Sequence, residues 1–112
     1  MDDFVKKHLE DILISIGEVD IFFETHPKRY DVFVSNILLR RGIERSIEII
    51  GEAMRRILKT DPAIPITNAR KIVDTRNYVI HGYDTLTPDI LWSIVVNHLP
   101  VLKSEVEELL KK

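Results

Sequence analysis

The chain has 112 residues and a mass of 13.0 kDa, with 45% hydrophobic residues, 30% charged residues and a formal net charge of -2. That suits one folded domain over residues 1–112 and excludes disordered, collagen-like and low-complexity classes. Cysteine is absent, which removes disulfides, thiolate metal sites and a nucleophilic Cys. No apolar run approaches the roughly 20 residues of a membrane span. The acidic start Met1-Asp2-Asp3-Phe4 lacks the basic-then-apolar layout of a secretory signal, so the expected location is cytoplasmic. Charge is unevenly spread: residues 1–25 hold two positive and seven negative groups, net -5, whereas residues 26–60 hold eight positive and four negative, net +4. A basic middle segment of this kind, which includes Arg41 and Arg45, forms either a phosphate-attracting face or a solvated helix face.

In chain order, Val5, Leu9, Ile12, Ile16, Val19 and Phe23 recur at spacings of four and three, the stripe of a helix packed along its length. This first helix covers about 3–24 and stops at His26-Pro27, because the residue before proline is driven out of helical geometry. Val32, Leu39, Ile43, Ile47, Ile50, Met54 and Ile57 continue the rhythm in a second helix, about 30–59. Gly42 and Gly51 inside it each cost about 1 kcal/mol against Ala and point to close approach by another backbone. After the proline-containing connection Asp61–Thr67, Asn68 can cap a third helix, about 69–82, which Gly82 can end. Thr87-Pro88-Asp89 opens a fourth, about 88–111, with Pro100 kinking its middle. With no stretch of period two, the expected fold is an all-α antiparallel four-helix bundle.

The sequence lacks HExxH, DxD, a histidine pair at i, i+4 and a glycine-rich phosphate loop, so neither a metal nor a cofactor is expected. His8 falls on the exposed side of the first helix and His26 in a turn. His98, beside Pro100, is placed to satisfy a freed carbonyl. His81 has different company, in Asp74-Thr75-Arg76-Asn77-Tyr78-Val79-Ile80-His81-Gly82-Tyr83. Asn77 and His81 are i, i+4 neighbours, and Asp74 shares their stripe. Arg76 lies on a stripe with Ile72 and Val79, where a half-buried guanidinium needs an acidic partner or an anionic ligand. Arg41, Arg45, Glu48 and Glu52 form one polar line on the second helix. Two readings stay open: Arg76 braces the bundle by pairing with Glu48 or Glu52, or Arg76 binds a phosphodiester while His81 moves a proton. Five residues apart, the two positions stand about 140° from each other on an ideal helix. Either the helix end unwinds at Gly82, or two copies of the third helix combine residues across a dimer axis.

Arg76 through Tyr83 resembles the motif of the HepT-like branch of the HEPN superfamily: Arg, then Asn, then His, with Tyr two residues beyond. Arg45–Ala53 is similar to that family's second-helix signature, and Leu91-Trp92 through His98-Leu99-Pro100 to its fourth-helix pattern. The three blocks lie in order over about 37–102. Ile64-Pro65-Ile66 departs from the Pro-Trp found in many relatives. The resemblance implies a dimeric, metal-independent ribonuclease toxin of a toxin–antitoxin pair, with Arg76 and His81 catalytic. It also implies a minimal nucleotidyltransferase antitoxin that adenylylates Tyr83. Spacing adds Asn77 to position His81 and Glu48 to hold Arg76. The alternative is a non-catalytic helical module that binds RNA, nucleotide or the transferase.

Overall fold

The computed structural model describes the backbone of residues 1–81 and 87–112, and the side chains of residues 1–75 and 87–112. Those residues form helices α1 (Asp3–Thr25), α2 (Tyr30–Ser35), α3 (Ile37–Thr60), α4 (Ala69–His81), α5 (Pro88–Ser93) and α6 (Leu99–Leu110), with a π-helical turn, Ile94–His98, between α5 and α6. No strand occurs among them, as the missing period-two pattern required. No helix among the described residues is long and apolar enough to cross a membrane.

α1 begins where the Asp2 carboxylate accepts from the backbone N–H of Phe4 (2.8 Å) and Val5 (3.2 Å), relieving two donors that a helix start leaves orphaned. Its stripe of Val5, Leu9, Ile12, Ile16 and Val19 is buried against α3, whose own stripe of Leu39, Ile43, Ile47, Ile50, Met54 and Ile57 fills the centre of one continuous core. α4 packs on another side of α3, and α6 on α1.

The expected second helix is two. At Asn36 the backbone leaves helical geometry (φ -105, ψ 100), and the Asn36 side chain accepts from Leu39 N–H at 3.0 Å. Asparagine favours this capping role over a helix interior because its amide competes for backbone donors. Arg40 Nη1 clamps the break by donating to the Val34 carbonyl at 2.9 Å. The bend lets the fully buried Phe33 meet Trp92 of α5, with ring centroids 5.3 Å apart, while Phe23 and Tyr30 also contact Trp92. Tyr30 donates its hydroxyl to Asp89, and that carboxylate raises the phenol above its ordinary pKa.

The fourth helix is interrupted as well, one turn before the expected kink. Pro100 has no N–H to offer, and its ring crowds the preceding turn. The chain widens over Ile94–His98 instead, with Leu99 N–H donating to Ile94 O five residues back. Gly42 has a neighbour of a different kind from the one expected. A Cβ there would overlap the Phe22 ring of α1, so the glycine makes room for an aromatic side chain rather than for a second backbone. Gly42→Ala should therefore lower stability by about 1–3 kcal/mol through overpacking. In a Phe22→Leu background the same change should lose that cost and retain the helix-propensity gain of about 1 kcal/mol; urea unfolding midpoints of the four proteins measure both.

Candidate functional site

α4 carries the Arg76–His81 motif, and its direction is fixed before the motif begins. Ile64 and Ile66 of the preceding connection are buried. Thr67 donates its backbone N–H to the Glu105 carboxylate of α6 (3.1 and 3.2 Å) and its hydroxyl to the same group (2.9 Å). Asn68 then turns the chain with φ 58, the left-handed region that asparagine tolerates better than most residues. Its cap acts through the main chain, since the Asn68 carbonyl accepts from Ile72 N–H at 3.2 Å, and no side-chain cap bond from it forms among the described residues. Ile72 and Val73 are buried, which sets that face of α4 against the core.

The helix is continuous through His81, so positions 76 and 81 keep their separation of about 140°. Position 76 continues the buried line of Ile72 and Val73. Position 81 follows another line, Lys71, Asp74, Tyr78, His81, at spacings of three, four and three. The side chains of Arg76, Asn77 and His81, and Gly82 and Tyr83 altogether, lie outside the described residues.

The remaining candidates fall into two places. Asp74 is exposed on α4 and borders a cavity of about 460 Å³ between α3, α4, α5 and the π turn, together with Lys71, Thr75, Ser93 and His98. His98, expected to bond a freed carbonyl, makes no such bond among the described residues and is one of the residues that line this cavity. The π turn takes up the strain of Pro100 without recruiting a side chain. Glu48 and Arg45 lie elsewhere, in a groove between α1 and α3, where Arg45 Nη1 donates to Glu48 Oε1 at 3.0 Å. The polar line read from the sequence is real over Arg45, Glu48 and Glu52, which share this groove. Glu52 also holds Arg55 at 2.7 Å and Arg56 at 3.1 Å. Arg41 is exposed.

The groove corrects one expectation. His8 is buried, 7% exposed, rather than on the open side of α1; the Phe4 ring packs edge-on against it with centroids 4.4 Å apart. The apolar stripe alone could not reveal this, because α3 also covers the flank beside that stripe. His26 stays in the turn after α1, half-buried, with Nδ1 2.9 Å from the Phe22 carbonyl. Sequence reasoning also passed over Lys71, Thr75 and Ser93 as cavity residues, although the first two fall on the same α4 face as Asp74.

Comparison with known proteins gives the family of the chain. The family described as "Ribonuclease HepT-like" matches residues 6–109. The chain belongs to that family. A Methanocaldococcus jannaschii protein named "Putative RNase MJ1380" is 38% identical over 104 residues, which is 92% of this chain and 94% of that protein. "Probable ribonuclease HepT" of Thermococcus cleftensis is 31% identical over 110 residues, 95% of this chain and 96% of that protein. No solved structure matches this chain. The HepT-like match thus runs from the first turns of α1 to the end of α6, well beyond the three blocks that carry the resemblance in sequence.

Burial of His8 has a consequence for the HepT-like bundle. Loss of solvent lowers its pKa below the ordinary 6.5, the Lys7 and Arg56 charges act in the same direction, and Asp11 and Glu52 oppose them. In the unfolded chain His8 titrates near 6.5, so between that value and its lower folded pKa the unfolded state binds more protons. Stability should therefore fall as pH drops through 6.5 and level off below the folded pKa. Urea midpoints from pH 7.5 to 5 should show this decline, and His8→Leu should flatten that part of the profile; an unchanged slope in the variant would place the titration elsewhere.

Proposed function

We propose that this HepT-like chain is a metal-independent endoribonuclease, active as a homodimer and serving as the toxin of a toxin–antitoxin pair. The observation that carries the reading is the family match over residues 6–109 in a chain that retains Arg76, Asn77, His81 and Tyr83 on and just beyond α4. The relatives' names speak of RNases, and the residue chemistry fits that activity. A ribose 2′-hydroxyl attacks its own 3′ phosphodiester, giving a 2′,3′-cyclic phosphate and releasing the next nucleotide as a 5′-hydroxyl. His81 serves as base or acid for the proton, since imidazole titrates near neutrality. Arg76 stabilises the crowded phosphorus through its fixed fork of donors. Asn77 orients His81, and the exposed Arg41 and Arg45 attract the strand from outside. With Arg76 and His81 about 140° apart on one helix, a two-fold pairing of α4 segments supplies the converging partners.

Neutralisation follows from the same site. The antitoxin is a minimal nucleotidyltransferase that joins the α-phosphate of ATP to the Tyr83 oxygen, with loss of the phenolic proton and release of pyrophosphate. The added phosphate brings negative charge to the place where substrate phosphate binds and repels it.

Purified protein should cleave RNA in excess EDTA. His81→Ala should lower kcat by about 10²- to 10⁴-fold, and Arg76→Ala by about 10²- to 10³-fold. RNA left equally intact by the parent protein and both variants would overturn the catalytic reading. Tyr83→Phe should keep the ribonuclease active while abolishing incorporation of labelled AMP and protection by the transferase. Continued protection of the Phe variant would move the modification off this residue.

A further inference from the structure

We propose that the cavity between α3, α4, α5 and the π turn is a nucleobase pocket, one that seats an amino-bearing base of the RNA next to the cleaved phosphate. The proposal rests on the ribonuclease reading and adds a specificity determinant to it. At about 460 Å³ the cavity lies in the range of small-ligand pockets. Its composition is that of a receptor for a flat apolar body with a polar edge. Ile47, Ile50, Ile72 and Leu99 form an aliphatic floor, while the polar groups stand on two opposed elements: Lys71, Asp74 and Thr75 on α4, Ser93 and His98 around the π turn.

Each polar group has a use toward a nucleotide. Imidazole is one of the ring systems on which single-stranded bases stack, and His98 is half-buried at the wall with no hydrogen bond of its own among the described residues. The Asp74 carboxylate accepts from an exocyclic amine, which adenine, cytosine and guanine have and uracil lacks. Lys71, exposed at the rim, offers an ammonium to the backbone phosphate. Ile94 and His98, at the two ends of the π turn and four residues apart, both line the cavity wall; such turns occur often at functional sites.

Helix register joins the pocket to the motif. Lys71 and Asp74 border the cavity, and position 81 lies two turns further along their line, a rise of about 10 Å from Asp74. A base held beside Asp74 therefore belongs to a nucleotide close to, and distinct from, the one whose phosphate is cleaved.

The test uses fluorescein-labelled oligonucleotides that carry 2′-deoxy sugars throughout, so that binding is read without cleavage, with one abasic residue moved along the strand. For the parent protein, anisotropy should show a loss of about tenfold in affinity at one position and little elsewhere. Uracil at that position should weaken binding relative to adenine or cytosine. Ile90 is 44% exposed at the cavity mouth, so Ile90→Trp fills the opening without repacking the core, and it should erase the position dependence. Asp74→Leu, at an exposed site, should erase the preference against uracil. A uniform abasic profile in the parent protein, or a parent-like profile in Ile90→Trp, overturns the pocket. AMP binding as tightly as the oligonucleotide also overturns it and indicates a mononucleotide site. Cleavage in EDTA is scored separately. Cleavage with a uniform profile sinks only the pocket, whereas a position-specific profile without cleavage sinks the nuclease reading and leaves a base-binding module.

Discussion

α3 is covered on two flanks at once, by α1 and by α4, and the distribution of polar chemistry in this protein follows from that constraint. A helix covered on two flanks carries its charge on the remaining arc, where Arg45, Glu48, Glu52 and Arg56 line the groove on the α1 side. On the α4 side α3 contributes only Ile47 and Ile50 to the cavity. The two sides are therefore chemically unlike: a charged groove in which carboxylates are taken up by neighbouring guanidiniums, and an apolar cavity whose polar groups come from other elements. Any ligand with an apolar body is directed to the second, since desolvating the charged groove costs more than burying isoleucine surface returns.

Backbone irregularities supply what regular helices would deny. Without the Asn36 break, Phe33 would continue on the line of α3 and could not reach Trp92. Without the π turn, Pro100 would crowd an unrelieved turn. The positive φ at Asn68, with Glu105 holding Thr67, turns the chain sharply enough for α4 to run back along α3. Of these features the π turn contributes directly to the cavity wall, through Ile94 and His98.

Most of the architecture was legible in sequence because burial is periodic. The stripes of α1 and α3 supply much of the core, and the ends near residues 25, 60, 69 and 88 follow from His26-Pro27, Asp61-Pro62, Asn68 and Thr87-Pro88. What escaped has a common physical origin in tertiary competition. Asn36 reads as tolerable inside a helix until Leu39 N–H claims its side chain. Pro100 announces a distortion, and neighbouring packing decides that it is relieved by widening one turn earlier. His8 lies off the apolar stripe, yet α3 covers that flank too. For the site, the line Lys71, Asp74, Tyr78, His81 was available from spacing alone. Its significance depended on knowing which face of α4 looks onto the α5 and π-turn wall.

The angle between Arg76 and His81 bears on why the proposed catalyst requires two chains. Position 76 follows Ile72 and Val73, which face the core, and position 81 follows Asp74, which faces the cavity side. On a single straight helix no rotation of the helix about its axis brings both positions toward one phosphate, because turning one inward turns the other away. In the homodimer proposed above, a two-fold axis beside α4 removes the difficulty by setting the 76 position of one protomer near the 81 position of its partner, with two equivalent sites. It also makes the cavity of each protomer a neighbour of a composite site. In such an assembly a strand can place its phosphate at the junction and its adjoining base in the pocket of one subunit.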